Sequence, residues 1–127
     1  MNNKLKSKLI ELARALHYCP VGDQKHFSFI VLRNKVISIG WNNKVKSNPL
    51  NQKYGYRYDK PHSELIAIKN FPYPNKELSR HTLVNVRIGR ANDVIMCKPC
   101  MYCQNLLKTF NIKEVYYTNA MGNFIRL

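Results

Sequence analysis

The sequence predicts an α/β fold, with helices on both faces of a mixed five-stranded sheet. Runs rich in β-branched and aromatic residues alternate with amphipathic helical patterns, in the order α-β-β-α-β-α-β-β. The 127 residues are enough for one domain with a hydrophobic core and too few for two ordinary domains. Hydrophobic residues make up 45% of the chain, which is typical of globular proteins. We therefore expect a single domain over residues 1–127.

The first helix and the first two strands are predicted from their periodicity. Over residues 3–18, leucine and alanine recur at helical spacing with lysine on the other faces, and Pro20 ends the helix. The β-rich runs 26–33 and 35–42 are separated only by Asn34. A connection this short predicts an antiparallel hairpin.

A long polar stretch over residues 43–60 follows the hairpin. It contains three tyrosines and several cations, and loops of this length in compact domains are usually functional or mobile. Tyr54 and Arg57 are candidates for stacking on the bases of a single-stranded nucleic acid. The same side chains could equally anchor an ordinary loop, and the sequence does not separate these two interpretations.

The second half of the chain contains two helices that each follow a proline. Pro61 opens a predicted helix at 61–71, and Pro99 opens another at 99–110, because proline suits the first helical turn. Three further strands are predicted at 82–89, 112–118 and 124–127. The last two strands are close enough in sequence to form a hairpin.

The strong positive charge predicts an anionic partner. Lysine and arginine number 21 and acidic residues 7, so the net charge is +14. Nucleic acid is the first candidate for such a partner. The alternative is compositional: the chain is rich in lysine and asparagine, and part of the charge could be spread over the surface without a function.

Hydropathy and cysteine usage indicate the compartment. No apolar run approaches the roughly 20 residues needed to span a bilayer, and the N-terminus lacks the features of a signal peptide. Three of the four cysteines fall within seven residues, which favours metal binding in a reducing compartment over a secreted disulfide framework. We therefore expect a soluble, cytoplasmic protein with no membrane partner.

The three clustered cysteines are equally spaced, at Cys97, Cys100 and Cys103, so two kinds of metal site are open. A closed structural zinc site would use all three with a histidine, whereas two thiolates and a histidine would leave a position for chemistry. Cys100 and Cys103 lie on one face of a first helical turn, where the helix dipole favours thiolates. His62 is the candidate third ligand, near the start of the preceding helix.

Glu64 stands two residues after His62, about 200° around a helix, so it cannot easily bind the same metal from that helix. It can lie beside a water on that metal and transfer protons. The spacing His62-x-Glu64 followed by Pro99-Cys100-x-x-Cys103 is the signature of zinc nucleobase deaminases. The chain therefore resembles the cytidine deaminase superfamily over nearly its whole length.

The resemblance implies a three-layer fold and a hydrolase that converts cytosine to uracil with Zn²⁺ as cofactor. It assigns His62, Cys100 and Cys103 to zinc and Glu64 to proton transfer. Gly40-Trp41-Asn42 looks like the G-x-N of deoxycytidylate and tRNA deaminases, so Asn42 is a candidate substrate contact. Trp41 is a weaker candidate, since a core aromatic residue is also expected at the end of a strand.

The chain departs from the family pattern in ways that bear on the substrate. The usual alanine between the histidine and the glutamate is Ser63, and Cys97 occupies a position without a ligand role. The F-x-x-E-N type motif of free-nucleoside deaminases is not found. Together with the charge, this favours cytosine in single-stranded DNA or RNA. The alternatives are a free nucleotide or nucleoside, of dCMP or cytidine type, and a non-catalytic zinc module that binds nucleic acid. An oligomer is possible.

Overall fold

The computed structural model describes residues 1–17, 26–42, 62–89 and 92–127. The helices in these ranges are α1 (Asn3–His17), α2 (Ser63–Lys69) and α3 (Met101–Thr109). The strands are β1 (His26–Leu32), β2 (Lys35–Trp41), β3 (Thr82–Ile88), β4 (Val94–Ile95), β5 (Glu114–Thr118) and β6 (Phe124–Arg126). Within the described ranges, every helix is too short or too polar to cross a membrane.

The strands form one mixed sheet in the order β2-β1-β3-β5-β6. The pair β3–β5 is parallel, and the other neighbours along this path are antiparallel. The two-residue β4 pairs with the last two residues of β3, beyond the stretch where β5 pairs with that strand. The predicted mixed sheet is confirmed, with β4 as an addition to its five main strands.

Side chains alternate between the two faces of the sheet, and helices cover both faces. The α1-side cluster consists of Leu5, Leu9, Ala13, Phe27, Phe29, Val31, Val84, Val86 and Ile88. The α2/α3-side cluster contains Ile30, Leu65, Ala67, Ile68, Phe71, Leu78, Leu83, Cys103, Leu106 and Leu107. The predicted arrangement of helices on both faces is confirmed, because each helix buries its apolar stripe against one face.

A glycine sets the distance between β2 and α2. A Cβ atom at Gly40 would lie 2.3 Å from both the Ala67 nitrogen and the Ser63 oxygen. These are backbone atoms that cannot move aside independently, so only glycine allows this approach. The first turn of α2 is thereby held close against the sheet.

The predicted starts of α2 and α3 are wrong by about two residues. His62 and Cys100 are N-cap residues with extended backbones, at ψ 158° and 169°, so each helix begins one residue later. Pro99 lies before the N-cap of α3, and Pro61 lies outside the described residues. Neither the His62 nor the Cys100 side chain makes a capping hydrogen bond.

Candidate active site

The N-terminal ends of α2 and α3 bring three potential metal ligands together. His62 Nδ1 lies 3.6 Å from Cys100 Sγ and 3.4 Å from Cys103 Sγ. The ligand atoms of the three residues all lie within 4.8 Å of one another. The histidine comes from the N-cap of one helix, and the cysteines come from the N-cap and first turn of the other. We call this set the His-Cys-Cys cluster.

The geometry of the His-Cys-Cys cluster fits a tetrahedral zinc ion. Zinc bonds of about 2.0–2.3 Å imply ligand-to-ligand distances of about 3.3–3.8 Å at tetrahedral angles. The two nitrogen-to-sulfur distances, 3.6 and 3.4 Å, fall in this range. One imidazole and two thiolates are also donors that zinc prefers, and three protein ligands leave one coordination position for water or substrate.

Hydrogen bonding within the cluster favours the charged forms of its members. The hydrogen bond from Cys103, reinforced by that from His62 and opposed by burial, lowers the pKa of Cys100 to about 4. The hydrogen bond to Cys100 raises the pKa of His62 against the opposing effect of burial. Cys100 is therefore a thiolate near neutral pH, which is the form that binds a metal, whereas His62 binds a metal only as the neutral imidazole.

Glu64 lies beside the cluster in the first turn of α2. Its side chain is only 5% exposed, and its Oε1 accepts a hydrogen bond of 2.8 Å from the Ser63 hydroxyl. Glu64 lines a cavity of about 250 Å³ together with His62 and Cys100. A buried carboxylate near a metal centre is suited to proton transfer, because water from bulk solvent competes poorly for it.

Six other residues line the same cavity: His26, Asn42, Ser63, Asn85, Cys97 and Lys98. Asn42, a predicted substrate contact, lies directly after β2, and its Oδ1 accepts a hydrogen bond of 3.3 Å from the His26 backbone nitrogen. This bond orients the carboxamide, so its NH₂ group is the part suited to a substrate contact.

Sequence reasoning missed His26 and Asn85 as cavity residues. They lie at the start of β1 and inside β3, and Ser28 of β1 pairs in register with Asn85. A signal was present, because polar residues interrupt otherwise apolar strand sequences at positions that share one face of the sheet. Polar side chains in a buried strand need hydrogen-bond partners, and these residues find such partners in the cavity and around it.

Cys97 lies outside the His-Cys-Cys cluster. Its Sγ is 3.6 Å from His26 Nδ1, and burial raises its pKa well above the ordinary range of a thiol. A thiol that resists ionisation is a poor metal ligand. That Cys97 is not a zinc ligand stays a prediction, and this placement supports it.

Of the other proposed substrate contacts, the structure describes only Trp41, which does not line the cavity. Trp41 packs against the α1-side cluster, on the opposite face of the sheet from the cavity. The alternation of side chains along β2 explains this, because Gly40 and Asn42 face α2 and the residue between them must face away. Tyr54 and Arg57 lie within 43–61, outside the described residues.

Solved structures share this fold at low sequence identity. The cytidine deaminase from Burkholderia pseudomallei is 18% identical with a TM-score of 0.61, and the match covers 100% of this chain and 92% of that one. The dCMP deaminase from the cyanophage S-TIM5, in apo form, is 19% identical with a TM-score of 0.57, covering 94% and 86%. The same phage enzyme in complex with dCMP and dUMP is 16% identical with a TM-score of 0.58, covering 94% and 85%.

A comparison with curated protein sequences gave no significant match. By contrast, the family described as the cytidine and deoxycytidylate deaminase zinc-binding region matches residues 3–119. The match includes both motifs and runs from α1 to the end of β5. Because this is nearly the whole chain, the protein belongs to the cytidine and deoxycytidylate deaminase family, and its cofactor is Zn²⁺.

Proposed function

We propose that this protein is a hydrolytic deaminase that converts cytosine to uracil and releases ammonia. The observation that carries the proposal is the position of Glu64, which is buried in the cavity wall next to the His-Cys-Cys cluster and outside it. A purely structural metal site has no need of such a carboxylate. A hydrolytic site needs one to move protons between water and the base.

Each of these residues has a distinct role in the proposed reaction. His62, Cys100 and Cys103 hold the zinc ion. Zinc, when bound, lowers the pKa of a water molecule and so makes a nucleophile available near neutral pH. Glu64 accepts a proton from this water and delivers it to the ring nitrogen of cytosine. The water oxygen bonds to C4 of cytosine as this proton moves. The bond between C4 and the amino nitrogen then breaks while Glu64 passes the remaining hydroxyl proton to the amino group, so that ammonia leaves, one water is consumed and uracil remains.

Asn42 and Lys98 are the proposed substrate contacts at the cavity. The carboxamide of Asn42 is oriented by the His26 backbone and can donate to a sugar hydroxyl or to the substrate backbone. Lys98 is an exposed cation on the lining of the same cavity. Its ammonium group can bind a phosphate that enters together with the base.

The first substrate that we propose is cytosine in single-stranded DNA or RNA. The net charge of +14 supports a polyanionic substrate. A single strand also presents its bases without the cost of unpairing them from a duplex. Lys98 at the cavity would then contact the phosphate backbone next to the target nucleotide.

A free nucleotide is the second candidate substrate. The similarity to a dCMP deaminase whose structure contains dCMP and dUMP favours it, and Lys98 is equally suited to the single phosphate of a nucleotide. The positive charge does not exclude this candidate, because a free nucleotide is also an anion.

A deamination panel tests the proposed function. Zinc-loaded protein is incubated with dCMP, cytidine, single-stranded DNA and single-stranded RNA, and uracil formation is measured by mass spectrometry. Glu64→Gln keeps the size of the side chain but removes the base, so we expect kcat to fall by roughly 100- to 10,000-fold. Normal turnover by this variant would contradict the mechanism.

The same panel distinguishes the two candidate substrates from each other, and a deaminase from a non-catalytic zinc module. Turnover of dCMP without turnover of oligonucleotides would exclude the polymer substrate. For a polymer substrate, affinity should fall steeply as salt rises, because released counterions drive phosphate binding. Oligonucleotide binding without deamination of any substrate would instead favour the non-catalytic zinc module.

A further inference from the structure

A buried polar network connects Glu64 to the sheet. Its members are Ser28 on β1, Ser63 at the start of α2, and Asn85 on β3, with side chains at most 2% exposed. The Ser28 and Ser63 hydroxyls are 2.8 Å apart, and Ser28 donates a hydrogen bond of 2.6 Å to Asn85 Oδ1. Burying polar groups costs free energy unless they are hydrogen-bonded. The presence of three buried polar side chains beside Glu64 therefore needs an explanation.

Each end of the network contacts a residue that lines the active-site cavity. Ser63 donates a hydrogen bond of 2.8 Å to Glu64 Oε1. At the other end, Asn85 Nδ2 donates to the carbonyl oxygen of Cys97 at 3.4 Å, in the segment that leads to Cys100. One set of hydrogen bonds thus links the proposed proton-transfer group with the chain that carries the cysteine ligands.

We propose that Ser63, supported by Ser28 and Asn85, is a positioning residue that fixes the orientation of the Glu64 carboxylate. Ser63 occupies one oxygen, Oε1, so the other oxygen, Oε2, is assigned to proton exchange in the cavity. This inference rests on the proposed function for its catalytic consequence. Its structural part, the fixed carboxylate, concerns only residues of this chain.

Two hydroxyl protons are available for three contacts, so one contact has no proton when Glu64 is ionised. Ser28 has one proton and two acceptors within reach, Asn85 Oδ1 and Ser63 Oγ. Whichever of them it serves, Ser63 keeps its own proton for Glu64, because a carboxylate is a stronger acceptor than a hydroxyl. The orientation of Asn85 is set by its donation to the Cys97 carbonyl. Ser28 therefore contacts Glu64 only through Ser63, and Asn85 contacts Ser63 only through Ser28.

Ser38 provides a matched control for the network. It is also a buried serine, 5% exposed, and it donates a hydrogen bond of 2.5 Å to the Ala67 carbonyl in α2. Ser38→Ala therefore removes a buried hydroxyl bond to the same helix without touching Glu64. A general loss of helix support would affect Ser38→Ala and Ser63→Ala alike, whereas loss of positioning affects only Ser63→Ala.

The first experiment compares crystal structures of the zinc-loaded wild-type protein, Ser63→Ala and Ser38→Ala. We expect a single Glu64 rotamer in the wild type and in Ser38→Ala, and a displaced or multiple Glu64 rotamer in Ser63→Ala. An unchanged Glu64 in Ser63→Ala overturns the proposal. This readout does not require activity, so it decides the proposal even if the wild-type protein deaminates none of the panel substrates and the proposed function fails.

The second experiment measures kcat and KM on the best substrate of the panel. For Ser63→Ala we expect kcat to fall by roughly 10-fold, the equivalent of a charge-assisted hydrogen bond, with KM within about twofold of wild type. Ser28→Ala should lower kcat by a smaller factor. The double variant Ser28→Ala/Ser63→Ala should lose no more kcat than Ser63→Ala alone, because Ser28 acts through Ser63. Additive losses, or equal losses in Ser38→Ala, would overturn the proposal. If Ser63→Ala does not fold, the Ser28→Ala structure and kinetics decide in the same way.

Discussion

Cys97 and Cys100 are three residues apart and have opposite acid–base behaviour. Hydrogen bonds from Cys103 and His62 lower the pKa of Cys100 to about 4, whereas burial raises the pKa of Cys97 far above the usual value. Equal spacing in the sequence therefore does not make equivalent thiols. The surroundings decide which sulfur can be a thiolate and bind a metal.

Cys97→Ser should leave the zinc content at one ion per chain, because residue 97 is not in the His-Cys-Cys cluster. Cys103→Ser should lose most of the zinc. Metal analysis of the purified variants measures both. Loss of zinc from Cys97→Ser would favour the closed structural site that uses all three cysteines.

We expect His81 to make the free energy of unfolding depend on pH. The ring is 6% exposed and packs edge-on against Phe71, and burial lowers its pKa below the ordinary value of 6.5. Glu77 opposes this shift to a lesser extent. As pH falls below about 6.5, the unfolded chain gains a proton that the folded chain resists, so the free energy of unfolding decreases.

We expect His81→Leu to remove this part of the pH dependence. Urea unfolding of wild type and variant at pH 7.5 and pH 5.5, with zinc present, gives the comparison. The wild-type protein should lose more stability between the two pH values than the variant. Equal losses in both proteins would show that His81 does not contribute.

At the scale of elements, the contact between β2 and α2 decides the position of the active site. Gly40 allows the strand to approach the first turn of α2, which contains Ser63 and Glu64. The glycine of the predicted G-x-N pattern thus has a packing function, and the asparagine two residues later reaches the cavity.

Gly40→Ala should destabilise the protein by roughly 1–3 kcal/mol, as expected for an overpacked contact. It should also lower activity, because the helix that carries Glu64 must move. Gly122→Ala is the control: its positive φ of 78° makes alanine cost roughly 1 kcal/mol, in a turn that does not line the cavity. Denaturation and kcat are measured for both. Full activity in Gly40→Ala would argue against this control of helix position.

At the scale of the whole molecule, the His-Cys-Cys cluster joins two helices that are distant in sequence. His62 and Cys103 are 41 residues apart, and both lie on the α2/α3 side of the sheet. A metal that binds only the folded arrangement stabilises it by mass action.

Removal of zinc with a chelator should therefore lower the Tm. With free zinc at about 1,000 times the Kd, binding stabilises the folded state by about 4 kcal/mol relative to the metal-free protein. Thermal unfolding with and without zinc measures the shift. Cys103→Ser should abolish the zinc-dependent shift in Tm, and Cys97→Ser should retain it. A wild-type Tm that does not respond to zinc would contradict a metal site shared by the two helices.

The sequence by itself determined the element order, the mixed sheet, the family resemblance and the four residues proposed for zinc binding and proton transfer. These features depend on local periodicity and on short motif spacings, which are visible along one chain. The pairing of β4 and the exact starts of α2 and α3 were less accessible, because both depend on contacts with distant segments.

Only the tertiary structure decided which further side chains meet at the site. The register of Ser28 with Asn85 and the approach of β2 to α2 place His26, Asn85 and Ser63 around Glu64, and turn Trp41 to the opposite face. The reason is physical: a pattern along the chain specifies which face a residue occupies, whereas its partners depend on how separate strands and helices are aligned.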